Sequence, residues 1–402
     1  MTPVSSDPID VLRSRTSEKW AEHPADVLPM FVAEMDYPLA EPIRHALHAA
    51  IDRGDAGYVA STNPLAGAFR GFTRRRWDWD LTNARLLSTA DVSMGIVELL
   101  RRVTGPGDRV VITPPVYPPF FELVAEAGAS VCTVNLTVDG DGSRLDLPGL
   151  ERAFADGARA FVLCNPHNPL GYLHSREDLA AVAELAATYD VRVISDEIHA
   201  PLTLPGGTFT PYLNASETAR ANGFAVHSAS KAWNIAGLKC ALIVAEGEGP
   251  ASLLDGMPDE VTWRTGQFGM LASAAAYAEG EEWLDSALDA IAHNIDLLDR
   301  LLHDHLPGVT WRRPDAGYLA WLDVSGQGWG EDPAERILTE ARVALSPGLA
   351  FGGAGTGFVR MNIACSPELL EEAVRRIADI APGAAAGAPA NTGTGELPAA
   401  TP

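Results

Sequence analysis

Apolar and polar positions fall along the chain in blocks that predict a regular succession of elements. Short, nearly continuous apolar runs occupy 109–113, 130–136, 159–164, 191–195, 223–227 and 240–245. Between several of them lie segments with helical spacing, such as 175–189. Strands without a polar face, separated by helices, predict a three-layer α/β large domain whose mostly parallel sheet is covered on both faces. An earlier helix is predicted to start near Pro42, with Ile43, Ala46, Leu47, Ala50 and Ile51 on one side and Gly54 placed to stop it.

The rhythm changes after position 250. A long helical stretch, 281–306, sets Trp283, Leu284, Ala287, Leu288, Ile291, Ile295 and Leu298 along one side. Strand-like 318–324, helical 333–340, strand-like 357–363 and helical 367–380 then predict a smaller α+β domain. The expected division is 1–45 as an arm that belongs partly to the small domain, 46–285 as the large domain and 286–380 as the small one. The stretch 381–402 is almost only Ala, Gly, Pro and Thr, too little apolar bulk to offset chain entropy, and is expected to be a disordered tail.

Charge narrows the partners. The 402 residues carry 53 Asp and Glu against 30 Lys and Arg, a formal net charge of −23, which argues against nucleic acid or an anionic membrane surface. No apolar run reaches the ~18 residues of a membrane span, and the first residues lack the pattern of a secretion signal, so a cytoplasmic protein is expected. Four cysteines are scattered without a CxxC pair and ten histidines without HExxH spacing, so buried thiols and no metal site are expected.

Parallel sheets bind ligands at the C-terminal ends of their strands, which directs attention to the polar residues that follow each run. Lys231, in Ser228-Ala229-Ser230-Lys231, reads alone either as a solvated surface lysine or as an amine for Schiff-base chemistry with hydroxyls beside it for a phosphate. Asp196 closes an apolar run, where a carboxylate needs a positive partner or caps a helix. Asn168 belongs to the second of two Asn-Pro pairs within five residues, with a side-chain N–H to offer. Tyr117, among prolines, stacks on a flat ligand or packs into the core; both readings stay open. Gly95 and Ile96 open a helix whose free N–H groups suit a phosphate, or are a plain helix start.

Taken in order, these motifs resemble the fold-type I pyridoxal 5′-phosphate (PLP) enzymes, the aspartate-aminotransferase superfamily. The similarity runs over nearly the whole chain except the tail. It is closer to the cystathionine β-lyase branch of MalY/PatB-type C–S lyases, through Leu28-Pro29-Met30-Phe31-Val32-Ala33-Glu34-Met35-Asp36-Tyr37, Asn165-Pro166-His167-Asn168-Pro169, Asp196-Glu197-Ile198-His199 and Ser228-Ala229-Ser230-Lys231. The resemblance implies PLP bound covalently to Lys231, which also moves the α-proton, with Asp196 on the pyridine N–H and Asn168 on the phenolate oxygen. It implies Tyr117 on one ring face and Ile198 on the other, with His199, where aminotransferases usually have tyrosine, nearby. Gly95, Ile96, Ser228 and Ser230 would take the phosphate. Lys239, where aminotransferases commonly carry arginine, would add charge there.

Tyr58 would reach the phosphate of a neighbouring subunit, which implies a homodimer. Arg360 would bind the α-carboxylate of a small amino-acid substrate, and Asp36 is expected at the substrate as well. The implied function is a C–S β-lyase that acts on cystathionine or other S-substituted L-cysteines and releases a thiol, pyruvate and ammonia. The alternatives are a class I/II aminotransferase and a regulatory protein of the MalY type.

Overall fold

The computed structural model of the chain describes residues 3–60, 62–139 and 142–382. The disorder expected of 381–402 therefore lies, from 383 onward, outside the described residues. Each of the six apolar runs forms a strand, and Arg85–Thr89 adds a seventh. Labelled in chain order, they are β1 Arg85–Thr89, β2 Arg109–Ile112, β3 Ser130–Thr133, β4 Ala158–Cys164, β5 Arg192–Asp196, β6 Gly223–His227 and β7 Ala241–Ala245. They stand in the order β1-β7-β6-β5-β4-β2-β3. The strands from β6 to β3 pair in parallel, and β7 runs antiparallel to both β6 and β1.

Burial on both faces explains the apolar runs of the inner strands, whereas β3, at the sheet edge, is largely exposed. Val110, Ile112, Val162, Ile194, Val226 and Ile243 share one core with the helix Val92–Val103, whereas Phe161, Leu163, Val193, Leu242 and Val244 face the other. In chain order the helices used below are α1 Glu41–Asp52, α2 Leu65–Trp77, α3 Val92–Val103, α4 Arg176–Thr188, α5 Gln267–Glu279, α6 Glu281–His305 and α7 Pro367–Asp379. In α3, Ile96, Leu99 and Leu100 are fully buried. At roughly 1.5–3 kcal/mol for each such side chain, this packing holds the start of α3 at the C-terminal edge of the sheet. The predicted face of α1 proves narrower: Ile43 and Ala50 are buried, but Ile51 is 61% exposed because it falls beyond the stripe that meets the core.

A second sheet, of β8 Thr310–Trp311, β9 Leu319–Asp323, β10 Ser346–Pro347 and β11 Phe358–Asn362, is antiparallel in the order β8-β9-β11-β10. Leu298 and Leu302 of α6 and Val374 and Ile377 of α7 pack with Leu322, Val359 and Met361 of this sheet. The helix expected at 333–340 begins as Pro333–Arg336 and then widens into a π-type turn, Ile337–Ala341. The N-terminal segment does join this region: Leu28–Pro29 pairs in parallel with Val343–Ala344, and Asp36 N–H donates to Ala364 O at 2.9 Å. All four cysteines are free, and Cys164, Cys240 and Cys365 are buried. Among the described residues no helix is long and apolar enough to cross a membrane.

Candidate active site

The C-terminal ends of β4, β5 and β6 deliver their polar residues to one cavity of about 220 Å³. Asn168, Asp196, Ile198, His199, Ser230 and Lys231 line it, joined by Tyr117 after β2, Lys239 before β7 and Arg360 from β11. A larger, open cleft of about 1010 Å³ lies elsewhere, at Arg74–Asp78 and 200–211, and holds none of these groups.

Hydrogen bonds orient each member. Asp196 Oδ1 accepts Ile198 N–H at 3.1 Å, which turns the chain back at the strand end. Asn168 Oδ1 accepts Arg360 Nη1 at 3.1 Å, leaving the amide N–H₂ of Asn168 to face a ligand. Arg360 also donates through Nη2 to Phe31 O at 3.0 Å and to Ser346 Oγ at 3.1 Å, and its guanidinium lies 4.9 Å from the centre of the Phe351 ring. Lys231 Nζ donates to Ala33 O at 3.1 Å.

Burial dominates the electrostatics. It pulls the Lys231 ammonium down to about 8, and neighbouring Arg360 pushes in the same direction. It lifts the Asp196 carboxyl to about 7, although the Ile198 N–H opposes that shift. His199 is held at about 3 by burial and by the nearby Lys231 and Arg360, so its imidazole is neutral. Tyr117 rises to about 12, again from burial and then from Asp196, and stays a phenol. The site thus contains an amine that deprotonates in the neutral range and a buried carboxylate in need of a cation.

The anion end of the cavity differs from the expectation. Gly95 N–H is already spent on Asp91 O at 3.0 Å, a Cβ at this position would meet Val226 and Thr89, and Ile96 is fully buried in the core. Neither offers a donor to the cavity. The open N–H groups of α3 are one turn earlier, at Val92 and Ser93, which line the cavity beside Asp91. Asp91 caps the helix by accepting Met94 N–H at 2.8 Å and pairs through Oδ2 with Lys239 Nζ at 3.0 Å. An aspartate before a helical run is an N-cap signal, so this register was readable in the sequence.

Ser228 lies beneath the cavity wall. Its hydroxyl donates to Cys240 O at 2.6 Å and accepts Ser230 N–H at 3.1 Å and the Ser230 hydroxyl at 2.7 Å; of the two serines, Ser230 is the one that lines the cavity. Asp36 is not at the cavity. It is fully buried against Lys19, with Nζ–Oδ1 at 2.9 Å and Trp20 Nε1 donating to the same oxygen at 2.9 Å. A carboxylate among Met and aromatic residues survives there because it has this partner. Tyr58 is 88% exposed and does not line the cavity of its own chain.

Other contributors had no local signal. Glu197 and His227, both buried, approach to 3.0 Å across the ends of β5 and β6. Glu197 Oε1 further accepts Ser195 Oγ at 2.9 Å and Tyr212 N–H at 2.7 Å. This couple ties the strand that carries Asp196 to the strand that leads into Lys231.

The class I and II aminotransferase model matches residues 32–377. A relative from Mycobacterium leprae (strain TN), provisionally named a cystathionine beta-lyase, is 44% identical over 397 residues, covering 93% of this chain and 97% of that protein. The cystathionine beta-lyase of Corynebacterium glutamicum is 37% identical over 372 residues, covering 92% and 98%. A crystal structure from Corynebacterium diphtheriae, described provisionally as a PLP-dependent beta-cystathionase, superposes with a TM-score of 0.88 at 33% identity, covering 94% of this chain and 98% of that one. With strand ends, lysine, aspartate and arginine gathered as above and the match spanning residues 32–377, the chain belongs to the class I and II aminotransferase family.

Proposed function

We propose that the chain is a PLP-dependent C–S β-lyase that cleaves cystathionine or other S-substituted L-cysteines to a thiol, pyruvate and ammonia. The observation that carries this reading is the meeting of Lys231, Asp196, Asn168 and Arg360 in one cavity, in a chain similar over almost its full length to proteins named cystathionine beta-lyase. The residues fit PLP. Buried Asp196 receives one N–H and, among the described residues, has no cation in ion-pair contact, a place that a pyridine N–H would fill. Val92 and Ser93 N–H with Ser230 and Lys239 suit a phosphate, and the Lys231 amine suits a carbonyl.

Bound PLP supplies an electron-withdrawing ring that accommodates the charge left at Cα after deprotonation. The chain's own groups do the rest. Asp196 would keep the ring nitrogen protonated, Asn168 would steady the ring oxygen, and Tyr117 and Ile198 would help to hold the ring. Arg360 holds the substrate carboxylate. Lys231 Nζ, neutral in an accessible range, takes the α-proton as general base. Breaking the Cβ–S bond sends its electrons away with sulfur, and water completes the conversion of the carbon fragment to pyruvate and ammonia.

The reading includes a homodimer in which the exposed Tyr58 reaches the neighbouring cavity, a cytoplasmic location, and a domain division near 45 and 285. The two separate sheets support that division. The test is to incubate the full chain with PLP and cystathionine, without any keto acid. Equal release of pyruvate and homocysteine is expected. Turnover that requires a keto acid and releases no thiol would instead make the protein an aminotransferase.

A further inference from the structure

Residues 31–36 form neither helix nor strand, yet the carbonyls from Phe31 to Met35 all accept side-chain donors. Val32 O and Glu34 O take Asn362 Nδ2 at 2.7 and 2.6 Å, and Met35 O takes Asn234 Nδ2 at 2.8 Å. Ala33 O takes both Tyr318 Oη at 3.0 Å and Lys231 Nζ at 3.1 Å. Phe31 O takes Arg360 Nη2 at 3.0 Å and Ser346 Oγ at 2.7 Å. One strap thus occupies both cations that the proposed function assigns to the cofactor and to the substrate.

The proton count on Arg360 makes this occupancy consequential. A guanidinium has five N–H donors, and each of its two forked edges includes Nη2. Here Nη2 donates to both Phe31 O and Ser346 Oγ, Nη1 donates to Asn168 Oδ1, and buried Nε has no partner. A carboxylate bound bidentately must use Nη2, where it competes with Phe31 O and Ser346 Oγ. Phe31 O is the better one to leave, because its departure frees two donors at once, Nη2–H and the Ser346 hydroxyl, both suited to the incoming anion. A half-buried carbonyl that loses both partners is free to turn toward water.

We propose that residues 31–36 are a displaceable strap whose Phe31 carbonyl occupies Arg360 until the α-carboxylate of an amino acid removes it. The inference rests on the reading of Arg360 as the carboxylate site.

Amide hydrogen exchange on the PLP-loaded full chain tests this, with L-alanine as probe, since it has the α-carboxylate and no β-leaving group. Glu34 N–H, bonded to Val32 O at 2.9 Å, and Met35 N–H, bonded to Asn234 Oδ1 at 2.8 Å, report on the strap. Saturating L-alanine is expected to speed their exchange about fivefold or more, while L-alaninamide leaves it unchanged. In Ser346→Ala one Nη2 proton is free, so L-alanine should bind with little change in the strap. Strap amides unchanged or slower with L-alanine bound, or the same acceleration in Ser346→Ala, would overturn the proposal. Calorimetry separates the two layers: no L-alanine binding at all removes the Arg360 reading and the strap with it, whereas binding with a silent strap removes the strap alone.

Discussion

Two regions build the cavity in opposite ways. Asp196, Asn168 and Lys231 follow the ends of parallel strands whose apolar residues are buried on both faces, so their places follow from the sheet register. The segment 31–36 has no ladder, and its carbonyls are held by side chains from distant elements. The first region offers rigid placement, which suits groups that hold a reactive ring. The second offers contacts that can be exchanged one at a time, which suits a part that meets substrate. Chemistry and access are thus divided between a sheet edge and a strap.

The largest expected effect falls on the strand-end region. Lys231→Ala should lower pyruvate release by ~10³-fold or more and abolish borohydride-fixed attachment of the cofactor; retained activity would break the division of labour. Asp196→Asn comes next, read on the unloaded chain. Because burial raises the folded carboxyl to about 7, its stabilising protonated form is complete below the unfolded value and is lost as pH rises through 7. The Asn variant should therefore be more stable than the parent at pH 8, by roughly 2–4 kcal/mol in urea denaturation, with the gap closing as pH falls toward 4.

On the strap side, Asn362→Ala removes the donor to Val32 O and Glu34 O and the acceptor for Ala364 N–H. A loss of about 1–3 kcal/mol of stability is expected, with faster exchange at Met35. Stability unchanged in urea would mean that the strap is held by packing and not by its carbonyl bonds. The smallest effect is one of pH alone. The rate at which the unloaded chain takes up PLP should rise to a plateau with a midpoint of about 8, followed by absorbance. A midpoint near the ordinary lysine value would place the amine outside the buried pocket.

Much of the first region was legible from local pattern. Six strands and the residues after them could be marked because continuous apolar runs and polar termini are properties of a few neighbouring residues. Gly95 and Ile96 were misjudged by one turn, since the free N–H groups of a helix depend on where its cap sits, and Asp91 sets that start. Asp36 was misassigned for a different reason: its partner, Lys19, is recognisable as a partner only when the arm is folded.

The sequence by itself determined the α/β order, the candidate lysine, aspartate, asparagine and arginine, and the family they suggest. Tertiary structure alone decided that Asp36 is a buried ion-pair member, that Ser228 supports Ser230, and that 31–36 reaches both cations. The reason is range. Periodicity carries information over one or two turns, whereas Asn362 meets Val32 across 330 residues of chain, a contact that exists only once both sheets have packed.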